Sequence, residues 1–174
     1  MDRIAIIGSG GSGKTTIARQ LGQILDVPVT HLDAVYYDAS WNPLPTSTFT
    51  ARQRELVAAP QWVIDGNYAS TLAIRLAAAD TVIFLDVPPA VCLWNIGQRR
   101  RRHRGGQHQT SVVYDRITWQ FLRYVLRSRR ATRPRVRQLI ADHAAHATVI
   151  EVRSRRSACR LLAAVAHGHG RRGP

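Results

Sequence analysis

Residues 8–15 read Gly8-Ser9-Gly10-Gly11-Ser12-Gly13-Lys14-Thr15, a run of small residues closed by an ammonium and a hydroxyl. The spacing G-x-x-x-x-G-K-[ST] lets successive backbone N–H groups turn inward around phosphate oxygens, with the lysine on the terminal phosphates and the hydroxyl on a magnesium ion. Thr16 follows directly and is taken as part of the same binding segment. The same residues also satisfy G-x-G-x-x-G at Gly8, Gly10 and Gly13. Asp33 falls 20 residues past Gly13, where a dinucleotide fold keeps the acid that holds its ribose. Lysine usage separates the two readings. Lys14 is the one lysine among 25 basic residues, and a compact ammonium suits a phosphate cradle better than a planar guanidinium does. The loop is therefore read as a site for the tail of ATP, with Lys14 neutralising the β and γ phosphates and Thr15 holding Mg²⁺.

Such a loop must lie between a strand and a helix, and its flanks supply both. Ile4 to Ile7 is a continuous apolar run, as in a strand covered on both faces, and Ile17, Leu21, Ile24 and Leu25 recur at helical spacing until Pro28. Further strands are expected at Val29 to Asp33, Trp62 to Asp65, Thr81 to Asp86 and Ala147 to Val152. Between them, helices are expected from a Thr46 or Ser47 cap to Ala59, over Ser70 to Ala79, and from Ala90 behind Pro88 and Pro89. Others are expected through Ile117 to Val125, through Val136 to His143, and from a Ser154 cap onward. Strands alternating with helices predict an α/β fold of three layers, a parallel five-stranded sheet with helices on both faces. Ligands of such sheets bind at the carboxyl ends of the strands. That rule singles out the glycine loop, Asp33, Asp65 with Gly66, Asp86, and the turn Arg153 to Arg155.

With 174 residues, 45% hydrophobic and 21% charged, the chain is read as one domain over 1–174 with enough apolar material for a single core. No apolar run nears the ~18 residues of a membrane span. The start passes from Arg3 straight into the glycine loop without a leader pattern, so a cytoplasmic protein with no membrane partner is expected. Cys92 and Cys159 have no metal-ligand spacing and are expected to be reduced core residues. Charge is the unusual feature, since the net is +14 and Arg99 to Arg137 holds 13 arginines against one acid, Asp115. Such a stretch can close over phosphate, bind nucleic acid, or form an ordinary solvated face. Arg100 and Arg104 stand four residues apart, on one helical face, just before Gly105 and Gly106.

Four blocks, IAIIGSGGSGKTTIARQLG, VTHLDAVYY, WVIDGNYASTLAIRL and TVIFLDVP, are followed by an arginine-rich helix, RPRVRQLI and VIEVRSRRS. Together they resemble the DNA topology modulation proteins, small relatives of adenylate kinase and the shikimate-type kinases. The resemblance implies a phosphate-loop fold with strand order 2-3-1-4-5, an ATP site on the glycine loop, and an arginine-rich lid spanning 97–135. It implies that Asp65, in an Asp-Gly turn like that of adenylate kinases, joins Thr15 at the magnesium. Asp33 would orient or deprotonate the acceptor hydroxyl, as a carboxylate does in shikimate-type kinases, and Arg100 and Arg104 would stabilise the transferring phosphoryl group. Arg153 and Arg155 would belong to the loop that packs on adenine. Asn67 and Tyr68 replace the end of the Asp-Gly-Phe-Pro-Arg run of adenylate kinases, so an AMP acceptor does not carry over.

Two functions follow as expectations. One is a kinase that uses ATP and Mg²⁺ to phosphorylate a small molecule or nucleotide, with Lys14, Asp33, Asp65, Arg100 and Arg104 at the chemistry. The other is a DNA-binding protein regulated by nucleotide, whose Arg99–Arg137 surface binds phosphate backbones through counterion release.

Overall fold

The computed structural model describes residues 1–38, 40, 42–102 and 132–170. Five strands, β1 (Arg3–Gly8), β2 (Val29–His31), β3 (Trp62–Asp65), β4 (Thr81–Leu85) and β5 (Thr148–Val152), form one parallel sheet in the order β2-β3-β1-β4-β5. The described helices are α1 (Lys14–Leu25), α2 (Leu32–Tyr36), α3 (Thr46–Val57), α4 (Leu72–Ala78), α5 (Pro89–Arg102), α6 (132–143) and α7 (Arg155–Gly170). The order and direction of the strands match the expectation.

The central strand explains the layering. Ile4 and Ile6 of β1 pack with Ile17 and Leu21 of α1 and with Leu161 and Leu162 of α7. Ala5 and Ile7 point the other way, onto Leu32, Phe49, Leu72, Leu76 and Val136 from α2, α3, α4 and α6. Successive strand residues face opposite layers, so an unbroken apolar run is what two covered faces require. Each isoleucine so buried stabilises the fold by about 1.5–3 kcal/mol.

Several boundaries differ from the sequence reading, each for a local reason. α1 stops at Leu25, before Pro28, because Asp26 turns left-handed (φ 53) and the Val27 N–H bonds back to the Gly22 carbonyl at 3.1 Å. Gly22 is required there, since a Cβ would lie 2.2 Å from Val29 Cγ2. β2 ends at His31, and Leu32 turns into α2 with its side chain fully buried. Asp33 is therefore in the first turn of a short helix and does not end the strand. α3 starts behind Pro45 with no side-chain cap, so neither Thr46 nor Ser47 plays the part expected of it. α7 does carry its expected cap: Ser154 Oγ accepts the Ser157 N–H at 3.1 Å, and Ser157 Oγ accepts the Ser154 N–H at 3.0 Å. Cys92 is buried as expected, but Cys159 is exposed on α7. The expected helix through Ile117 to Val125, most of the 97–135 lid, and Arg104 lie outside the described residues.

Candidate functional site

The glycine loop leaves β1 and enters α1 as its pattern requires. Gly11 (φ 77) and Gly13 (φ 96) are left-handed, a conformation that L side chains adopt only with strain. A Cβ on Gly11 would also lie 2.4 Å from the Cys92 carbonyl oxygen, because α5 rests directly on the loop. Asn95 Nδ2 of α5 donates to the Gly11 carbonyl at 2.9 Å, closing that contact. On the inner side, a Cβ at Gly8 would sit 2.8 Å from both Leu85 Cβ and Ser12 Oγ. Ser12 Oγ is buried and has no hydrogen-bond partner among the described residues. α1 begins at Lys14 behind Gly13, an N-cap residue that supplies no side-chain cap, and the helix adds the positive end of its dipole at the loop. Lys14 Nζ donates to the Ser9 carbonyl at 3.0 Å, folded back along the loop. Ser9 and Gly10 are half-buried, and Thr16 is exposed.

At the mouth of the loop, three residues from three elements converge. Thr15 of α1 donates its hydroxyl to Asp65 Oδ2 at 3.0 Å. His31 Nδ1 lies 2.6 Å from Asp65 Oδ1, and because a carboxylate only accepts, Nδ1 carries the hydrogen. His31 and Asp65 are register partners at the carboxyl ends of β2 and β3, so the parallel ladder itself brings them side by side. The Asp65 side chain is only 5% exposed, which keeps water from competing for it. Hard oxygen donors beside a phosphate-shaped loop are what Mg²⁺ prefers. The orphaned Ser12 hydroxyl, the uncapped α1 amides and this oxygen set together fit a metal–triphosphate.

A second group forms beside Asp33. Tyr68 donates its hydroxyl to Asp33 Oδ1 at 2.7 Å. The Tyr68 ring packs at 4.7 Å from that of Tyr36 and 4.9 Å from that of Phe49. Burial, reinforced by the Asp33 carboxylate, pushes the Tyr68 hydroxyl far up, so it remains a donor. Asp33 itself is exposed.

Arg75, on α4, is 1% exposed. It donates to Gln53 Oε1 and, at 3.2 Å, to the Gly66 carbonyl, while Gln53 Nε2 donates to Thr71 Oγ1 at 2.6 Å. The guanidinium thus ties α3 to α4 and to the turn after Asp65. Burial pushes it down to about 10, which leaves it charged at neutral pH. Arg75→Ala strands the Gln53 and Gly66 acceptors, and we expect it to cost about 2–4 kcal/mol of stability. Chemical denaturation of the purified variant measures this as a lower midpoint.

Asp86 is held by α6, paired with Arg133 and, at 3.7 Å, with Arg137. Arg137 continues to Glu151 at 2.7 Å, and Glu151 to Arg153 at 2.7 Å. Gly8, Ser9, Asn67, Asp86 and Arg133 line one cleft that opens from the loop. Arg153 is therefore turned onto Glu151, and Arg155, the first residue of α7, is exposed. Arg100 belongs to α5, and its neighbour Arg101 is exposed. Among the described residues no group of three or more His, Cys, Asp or Glu is placed to hold a metal, and His143 and His146, three residues apart, form no part of one. His146 Nε2 instead lies 3.1 Å from the Ala79 carbonyl.

Sequence reasoning missed His31, Gln53 and Asn95. His31 was within reach of the strand-end rule. With β2 placed two residues too long, that rule pointed to Asp33.

Fold and loop together define a parallel α/β phosphate-loop architecture. No family model matches the chain, and no curated protein matches it. Among solved structures, it is similar to the shikimate kinase of Acinetobacter baumannii in complex with shikimate. The TM-score is 0.58 and the identity 20%, over 97% of this chain and 94% of that one. A gluconokinase from Sinorhizobium meliloti 1021 has TM-score 0.54 and 17% identity, over 98% and 92%. The shikimate kinase of Aquifex aeolicus has TM-score 0.53 and 16% identity, over 98% and 99%. At these identities the likeness establishes the fold: a five-stranded parallel sheet in the 2-3-1-4-5 order of phosphate-loop kinases. Among the described residues, no helix is long and apolar enough to cross a membrane.

Proposed function

We propose that this chain is an ATP- and Mg²⁺-dependent phosphotransferase that moves the γ-phosphoryl group to a small acceptor, with a nucleotide among the candidates. The Thr15–Asp65 hydrogen bond at the mouth of an uncapped glycine loop carries the reading. It joins a magnesium-type oxygen pair to a phosphate cradle in a fold whose solved neighbours include a shikimate kinase and a gluconokinase. Gly8 to Thr16 hold the triphosphate, with Lys14 leaving Ser9 to meet the β and γ phosphates. Thr15 and Asp65 form the metal corner. Mg²⁺, when bound, screens the phosphate charge and orients the terminal group.

Asp33, steadied by Tyr68, orients or deprotonates the acceptor hydroxyl. Arg100 and Arg104 belong to the lid of 97–135 and stabilise charge on the transferring group within a single domain of 1–174. Arg153 and Arg155 border the adenine. The sequence blocks resemble those of the DNA topology modulation proteins, and we read the chain as one of that group of small kinase relatives. The alternative, DNA binding through Arg99–Arg137, is the weaker reading, because Arg133 and Arg137 are already engaged by Asp86 and Glu151.

The test is a screen of purified protein with Mg-ATP against hydroxy acids, sugars, nucleosides and nucleotides, read as ADP release and phosphorylated product. At least one acceptor should yield stoichiometric product. Tight ATP binding with no transfer to any class would overturn the enzyme reading, and steeply salt-dependent DNA binding in the same preparation would favour the alternative.

A further inference from the structure

Asp65 faces two donors at once, and the second of them has no place in the scheme above. Thr15 supplies a hydroxyl to Oδ2, and His31 supplies Nδ1–H to Oδ1 at the shorter distance of 2.6 Å. Donors on opposite oxygens fix both the position and the plane of a carboxylate. A carboxylate held by one donor alone can swivel about its Cβ–Cγ bond. The surroundings make the second bond effective, because the side chains of His31 and Asp65 are 21% and 5% exposed and water competes poorly for them. Arg75, the nearby buried cation, is committed to Gln53 and Gly66.

We infer that His31 is a positioning residue for the metal corner. By donating to Oδ1 it fixes Asp65 so that Oδ2 takes the hydrogen of the Thr15 hydroxyl, which leaves that oxygen's lone pairs for the divalent cation. The inference rests on the phosphotransferase reading, since it gives the cation of a metal–nucleotide a supporting shell. Outer-shell hydrogen bonds of this kind are worth about 10–100-fold in metal affinity. The role follows from geometry: it needs a donor at the Nδ1 position and does not need the far ring nitrogen. That makes it separable from a purely structural link between two strand ends.

The experiment compares His31→Phe, which keeps ring bulk without a donor, with His31→Asn, whose amide nitrogen sits near the Nδ1 position. Three quantities are measured: Mn²⁺ binding to the protein–ATP complex by the paramagnetic signal of free Mn²⁺, ATP binding in EDTA by calorimetry, and the melting temperature. The expected result is a Mn²⁺ dissociation constant raised about tenfold or more in His31→Phe. ATP binding in EDTA should stay within about twofold of the parent, and His31→Asn should recover most of the metal affinity. Should His31→Phe not fold, His31→Ala against His31→Asn carries the same contrast. Parent-like Mn²⁺ binding in the donor-less variant overturns the inference. So does an equal loss of ATP binding with and without metal, which is the mark of a structural role. A parent protein that binds no ATP in either condition removes the phosphotransferase reading instead, an outcome visible before any variant is made.

Discussion

Lys14→Ala is expected to bind ATP about a hundredfold or more weakly than the parent, with phosphoryl transfer falling further still. The ammonium is the single lysine of a chain that otherwise uses arginine, and it stands at the start of α1 with its charge held over the loop by the Ser9 carbonyl. That bond is neutral on the acceptor side, so exchanging it for phosphate oxygens is favourable. Two charge-assisted hydrogen bonds to phosphate contribute about 1.5–3 kcal/mol each, and every 1.4 kcal/mol is tenfold in affinity. Lys14→Arg should recover little, because a planar fork does not fit where a compact ammonium on a flexible stem does. Calorimetry with ATP and Mg²⁺ on both variants checks this, and parent-like binding by Lys14→Ala would remove the loop from the account. The fold should survive, since Lys14 lies outside the buried clusters on either face of the sheet.

Asp65→Asn is expected to leave ATP binding in EDTA within a few-fold of the parent and to lower the transfer rate about 10²–10³-fold, a barrier increase of roughly 2.7–4 kcal/mol. Asparagine has the right size and the wrong hydrogen-bond pattern. The Thr15 hydroxyl and the His31 Nδ1–H both donate into this side chain, and an amide offers one acceptor oxygen and one NH₂ group, so one donor meets another. The metal corner is lost while the phosphate cradle stays. The contrast with Lys14→Ala is the useful feature: one variant fails at nucleotide affinity and the other at the metal-dependent step. Steady-state rates across a Mg²⁺ series, beside metal-free binding, separate them. A normal Mg²⁺ dependence in Asp65→Asn would place the metal elsewhere.

The phosphate loop was legible because its chemistry is local: backbone amides, a glycine at each forced turn, a lysine and a hydroxyl within eight consecutive residues. The strands were legible because a parallel strand covered on both faces must be largely apolar, as Ile4 to Ile7 and Val82 to Leu85 are. The end of β2 was misread for a reason equally physical. Leu32 is as apolar as a strand residue, yet it turns away to fill the space left by Gly66, where a Cβ would come within 2.7 Å of its own. Nothing in the local pattern distinguishes a leucine that continues a strand from one that caps a layer. Arg75 shows the opposite difficulty. An arginine on a short helix looks like surface, and the acceptors that let it be buried are Gln53, 22 residues earlier in the chain, and the Gly66 carbonyl.

Composition and spacing thus determined the α/β class and a glycine loop of the phosphate-binding pattern, both of which depend on neighbours in sequence or on simple periodicity, while the strand order came from the resemblance. The pairing of His31 with Asp65, the union of Asp33 with Tyr68, and the capture of Asp86 by Arg133 were decided in three dimensions. Each joins groups more than 30 residues apart in the chain. Hydrogen bonds of a few ångströms require two separate elements to be docked in one register, and that register comes from the packing of the whole sheet.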